Sequence, residues 1–168
     1  MKILIYTTHR TGSTALAQLL MAHYGCDYHR GSLIYPLPTD IIIKITPSES
    51  KYNEIQSYFD KKIVLTRDNI KDQAESRVYA DLVEKKFEPY TIEKSFLLEN
   101  HSKILEMEQT IIKENEYLLS CDDCLFLTYD ELYYTPFGLS KLEGYLDTEF
   151  TFKIDSNKKY RNGAKSLI

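Results

Sequence analysis

Apolar positions along this chain follow two rhythms. Four runs are short and continuous: Ile3 to Tyr6, Ile41 to Ile45, Lys62 to Thr66 and Cys124 to Thr128. Runs of this length, bounded by polar residues, predict strands buried on both faces. The stretches between them carry helical spacing instead. Ala15, Leu16, Leu19 and Leu20 follow Ser13 and Thr14, either of which makes an N-cap. Ile55 and Phe59 follow Pro47-Ser48, a helix start. Ile70, Ala74, Val78 and Leu82 recur every four residues. Phe96, Leu97, Ile104, Leu105, Ile111 and Ile112 give the stretch from Thr91 to Leu119 a broad apolar face, as one helix or two. Thr135 and Pro136 form an N-cap and N1 pair for a helix ending near Gly144 or Asp147. Tyr24 to Ser32, with two glycines among polar residues, reads as a loop.

Strands alternating with helices predict an α/β fold. The expected form is a P-loop-like three-layer sandwich, a central mainly parallel sheet of about four to five strands flanked by helices. The 168 residues are the length of one domain, 1–168. Ligands of such sheets bind beyond the carboxyl ends of the strands. Arg10, Lys44 and Arg67 all fall at such ends.

The turn after the first strand carries the strongest chemical signal. It reads Thr7-Thr-His-Arg10-Thr-Gly12-Ser-Thr14 and opens a helix. Unpaired N–H groups and the positive end of a helix dipole converge there, as an anion site requires. Arg10 adds a forked cation, Thr11, Ser13 and Thr14 add hydroxyls, and Gly12 permits close approach of a ligand. A nucleoside-triphosphate loop of the GxxxxGK[ST] pattern is excluded, because Gly12 has neither the upstream glycine nor the following lysine.

Composition narrows the picture further. The apolar share of 43% and charged share of 27% are those of a globular protein. A net charge of −4 argues against a general nucleic-acid binder. Neither a signal peptide nor an apolar stretch of membrane-spanning length is visible, and a cytoplasmic setting fits. Cys26, Cys121 and Cys124 are an odd set. The Cys121-Asp-Asp-Cys124 spacing lacks a second pair for zinc and precedes a strand rather than a thioredoxin-type helix, so ordinary turn thiols are expected. No metal-ligand cluster stands out.

His9-Arg10-Thr11-Gly12-Ser13-Thr14 resembles the 5′-phosphosulfate-binding loop of sulfotransferases, which reads roughly Pro-Lys/Arg-Ser-Gly-Ser/Thr-Thr before a Leu-rich helix. A second segment, Ile63 to Arg77, resembles the family's strand, arginine, turn and helix serine. There Arg67 and Ser76 would bind the donor's 3′-phosphate, at the opposite end of the pocket from Gly12. Their spacing of nine residues is one more than is usual in cytosolic members. Gln73-Ala-Glu-Ser76 is similar to the Gln-Ala-Val-Ser of bacterial carbohydrate sulfotransferases, where this spacing is normal. Tyr129-Asp-Glu-Leu132 with Pro136 resembles a structural segment of the family, and Arg161-Asn162-Gly163 resembles the Arg-Lys-Gly that closes over the 3′-phosphate.

What the resemblance implies is transfer of a sulfuryl group from 3′-phosphoadenosine 5′-phosphosulfate to a hydroxyl or amine of a small-molecule or carbohydrate acceptor, without a metal. Arg10 would bridge the sulfonate and the departing 5′-phosphate, with Thr11 to Thr14 sharing the charge. Lys44 matches the lysine of the family's Lys-Thr-His segment and would touch substrate, but Thr46 stands where the histidine would be. Asp27 and His29, after the first helix, are then the candidate bases: Asp27 by analogy with a carboxylate type, His29 by its pKa. Two alternatives remain, a small nucleotide or metabolite kinase and a non-catalytic nucleotide-binding protein. The first needs a magnesium-binding carboxylate at a strand end.

Overall fold

The structure, a computed structural model, describes residues 1–30, 37–47, 52–83 and 92–150. Arg161, Asn162 and Gly163 lie outside the described residues. Strands β1 (Lys2–Thr7), β2 (Asp27–Arg30), β3 (Ile41–Ile45), β4 (Lys61–Thr66) and β5 (Leu125–Thr128) form one sheet in the order β2-β3-β1-β4-β5. Every pairing is parallel. Helices α1 (Ser13–Tyr24), α2 (Tyr52–Ile55), α3 (Ile70–Val83), α4 (Lys94–Glu99), α5 (His101–Leu119), α6 (Tyr129–Tyr134) and α7 (Pro136–Leu146) complete the described elements. A single 3₁₀ turn, Gln56–Tyr58, follows α2.

Three strands are continuous apolar runs because both faces of the sheet are covered. Successive residues alternate between two cores. Ile3, Ile5, Ile42, Ile63 and Leu65 pack with Leu16 and Leu20 of α1, Leu132 of α6 and Leu142 of α7. Leu4, Tyr6, Ile43, Ile45 and Val64 pack on the other face with Ile55, Phe59 and Leu118. A third core joins Ala74 and Val78 of α3 to Ile104 and Ile111 of α5. Arg77 of α3 seals that junction with a two-pronged bond to Glu114, at 2.7 and 3.2 Å. This fixes α3, which reaches the loop after β1.

Several expectations need correction. Tyr24 to Ser32 is not all loop: Asp27–Arg30 is an edge strand, paired in register with β3. Its residues are polar and only partly covered because it bonds to one neighbour. Of the one or two helices expected in the long helical stretch there are two, parted at Asn100. Leu82 and Leu105, expected on apolar faces, are 48% and 46% exposed, while Leu118 takes a core place. The N-cap of α1 is Gly12, not Ser13 or Thr14. At α3, Asn69 caps the helix, its Oδ1 accepting from the Asp72 N–H at 3.1 Å.

Candidate functional site

The site is the loop between β1 and α1, at the carboxyl edge of the central strand. Its inner half is tied down by hydroxyls. Thr7, Thr8 and Thr11 are fully buried. The Thr7 hydroxyl lies 2.7 Å from the Leu65 carbonyl on β4 and 2.5 Å from the Thr11 hydroxyl. Thr11 Oγ1 also lies 3.1 Å from the Thr8 carbonyl, so this hydroxyl braces the loop rather than facing a ligand.

The outer half is strained and open. Arg10 has φ 65, a left-handed conformation uncommon for a residue with a Cβ. Gly12 follows with φ 75. The N–H groups of Thr11, Gly12, Ser13 and Thr14 have no acceptor among the described residues, and no side chain caps the helix. Four unpaired donors at the positive end of a twelve-residue helix form an anion cradle.

Gly12 also meets a packing demand. A Cβ there would come 2.7 Å from a ring carbon of Tyr129 and 2.8 Å from one of Tyr133. The close approach is made by two tyrosine rings of α6. Tyr133 Oη also donates to the Gly12 carbonyl at 2.8 Å.

Three cations gather around the loop. Arg10 Nε donates to Ser76 Oγ of α3 at 3.0 Å. Lys44 is only 5% exposed, and its Nζ donates to Thr14 Oγ1 at 3.1 Å. Arg67 extends from the end of β4 over the Tyr129 ring, 5.2 Å from its centroid, and pairs with Asp72 at 3.6 Å. The Tyr129 ring, which also lies against Gly12, stands between Arg67 and the loop. Ser76, expected to share one phosphate with Arg67, accepts from Arg10.

Asp27 and His29 do not join this group. Asp27 aligns with Ile41 and through it with Lys2, at the amino edge of the sheet. His29 aligns with Ile43 and Leu4, two rungs lower on β1 than Tyr6. Paired residues share a face, so His29 stands on the opposite face from Ile42, Lys44 and α1.

Two features were missed. Gln73, in the quoted Gln-Ala-Glu-Ser run, is fully buried and donates through Nε2 to Thr8 Oγ1 and the His9 carbonyl, at 2.7 and 2.6 Å. Its placement before Ser76 was the available signal. The other is a carboxylate pair: Asp130, just beyond β5, lies near enough to Asp68, just beyond β4, to feel its charge. Burial first, then the neighbouring Asp68 charge, push the Asp130 carboxyl up, against the pull of Arg67. Burial likewise raises the Tyr129 phenol. Among the described residues no group of three or more His, Cys, Asp or Glu side chains could hold a metal ion. No helix among them is long and apolar enough to cross a membrane. None of the three cysteines forms a disulfide among the described residues.

Searches against family models and against curated proteins returned no match for the chain.

Proposed function

We propose that this chain is a sulfotransferase, moving a sulfuryl group from 3′-phosphoadenosine 5′-phosphosulfate to a hydroxyl or amine of a small-molecule or carbohydrate acceptor. The observation that carries the reading is the 3.0 Å contact between Arg10 and Ser76. These residues come from the two segments that separately resemble the family's donor motifs, 66 positions apart in sequence. Unpaired amides at Thr11 to Thr14 support it, since a doubly phosphorylated nucleotide presents the anions such a cradle takes.

The chemistry asks for in-line positioning and charge stabilisation, as phosphoryl transfer does. A bond forms from the acceptor oxygen or nitrogen to sulfur. The bond from sulfur to the oxygen of the 5′-phosphate breaks, and its electron pair leaves with 3′-phosphoadenosine 5′-phosphate. The acceptor's proton passes to a base. Arg10 and the loop amides would meet the charge that grows on the departing oxygen. Lys44, held at Thr14 Oγ1, adds a positive charge on the α1 side.

One observation favours the kinase reading: Asp68 and Asp130 stand together at the ends of β4 and β5, where a magnesium ion on a nucleotide would need carboxylates. Calorimetry separates the two. Binding of 3′-phosphoadenosine 5′-phosphate without magnesium, and tighter than ATP with magnesium, is expected. The reverse order would transfer the reading to the kinase.

A further inference from the structure

We infer that Gln73 is a positioning residue: it sets the left-handed backbone of Arg10 and thereby aims the guanidinium at the bound anion. This rests on the sulfotransferase reading for the identity of that anion, though not for the clamp itself.

The geometry is specific. Gln73 is fully buried, on the face of α3 that meets the loop. Its single side-chain nitrogen spends both protons on consecutive residues, Thr8 Oγ1 at 2.7 Å and the His9 carbonyl at 2.6 Å. A carbonyl can only accept, so the amide cannot be turned over without setting Oε1 against the His9 oxygen. Arg10 comes next, and its φ of 65 departs from the region favoured by residues with a Cβ. Such a conformation persists only where its surroundings over-determine it. Gln73 fixes the two residues before Arg10, while Tyr133 and the Tyr129 ring fix Gly12 after it. Ser76, three residues beyond Gln73 and so on the same helical face, meets Arg10 Nε.

The remaining atom points the same way. Gln73 Oε1 is buried and has no hydrogen-bond partner among the described residues. A buried acceptor without a donor costs free energy, so the side chain is held by its two Nε2 bonds alone. The amide's value therefore lies in what it does to the loop.

Gln73→Leu keeps side-chain volume and removes both bonds. Three readouts test the inference on the full-length protein. The melting temperature should fall only slightly, because the orphan Oε1 goes together with the donor of Thr8 Oγ1 and the His9 carbonyl. The side-chain Nε–H resonance of Arg10, displaced and slowly exchanging in the wild type through its bond to Ser76, should move to the position of a free arginine. Affinity for 3′-phosphoadenosine 5′-phosphate should fall about tenfold, and Arg10→Ala should add little to that loss, because residues acting through one another are not additive. An unmoved Arg10 resonance, or full additivity with Arg10→Ala, overturns the inference. So does a drop in melting temperature with Arg10 unmoved, which marks a merely structural glutamine. If Gln73→Leu does not fold, Thr8→Val removes one of the two acceptors without altering α3, and should shift the same resonance by a smaller amount. Should the wild type fail to bind the nucleotide, the sulfotransferase reading falls, and the arginine resonance alone decides the role of Gln73.

Discussion

Two junctions at the same edge of the sheet solve the same problem in opposite ways. At both β1–α1 and β5–α6 a parallel strand turns directly into a helix, whose first N–H groups lack intrahelical partners. After β5, Thr128 accepts from the Glu131 N–H at 3.2 Å, and the Glu131 carboxylate accepts from the Thr128 N–H at 3.2 Å. That reciprocal box satisfies two of the N–H groups at the helix start with the chain's own oxygens. Lys141 then pairs with the same carboxylate. After β1 there is no such oxygen. Gly12 stands at the cap, and the hydroxyl of buried Thr11 is turned inward to Thr7 and Thr8. A chain that caps one junction with a reciprocal box leaves four amides open at the other, between three cations. The open junction costs stability that a bound anion would return.

The largest expected effect comes from closing the space at the open junction. Gly12→Ala sets a Cβ 2.7 Å from the Tyr129 ring and forces a left-handed backbone on alanine. The left-handed penalty is about 1–2 kcal/mol and overpacking adds about 1–3 kcal/mol. Denaturant melts should show the sum, roughly 2–5 kcal/mol. A loss well below that would mean that the rings of α6 shift freely, and that Gly12 does not pin the loop.

The second effect is on turnover. With 3′-phosphoadenosine 5′-phosphosulfate saturating, Arg10→Ala should slow single-turnover transfer by about 10²–10³, more than it weakens donor binding. An interaction strengthened only in the transition state appears in the rate constant. Arg10→Lys should recover part of the rate, since lysine restores the charge without the fork. Equal rates for wild type and Arg10→Ala would make the open junction a binding cradle and nothing more.

The contrast between the junctions also marks what the sequence makes legible. β1, β3 and β4 announce themselves because covering both faces demands unbroken apolar residues. β2 is hidden because an edge strand needs only one bonded neighbour, and Asp27-Tyr-His-Arg30 draws its order from β3 rather than from its own side chains. That concealment put Asp27 and His29 in a loop. The anion cradle was visible through local spacing, strand to glycine to helix. Its supports were not, since Tyr129, Tyr133 and Gln73 reach it from elements far along the chain. α6 carried a local sign, Thr128 followed three residues later by Glu131, but its six residues are too few to show a helical period.

The smallest expected effect tests the closed junction, and its sign follows from Glu131. Lys141 first, then the Thr128 N–H, hold its carboxyl below the usual range, outweighing the opposing desolvation. A carboxylate with a depressed folded-state pKa adds stability that is present above the unfolded pKa and lost as pH falls through the folded one. Both side chains of the Glu131–Lys141 pair are substantially exposed, 34% and 47%, so solvent screens the pair. Glu131→Gln keeps an acceptor for the Thr128 N–H and gives up the charge. At neutral pH and low salt it should cost about 0.2–1 kcal/mol, and the cost should vanish at acid pH, where the wild-type carboxylate is also neutral. Added salt should shrink it in the same direction. The open junction has no carboxylate within its cap, so the same titration on Gly12→Ala should run parallel to wild type, offset but not converging. Convergence of the Gly12→Ala and wild-type curves in acid would show that a titrating group closes the β1–α1 junction too, and the distinction between the two helix starts would be lost.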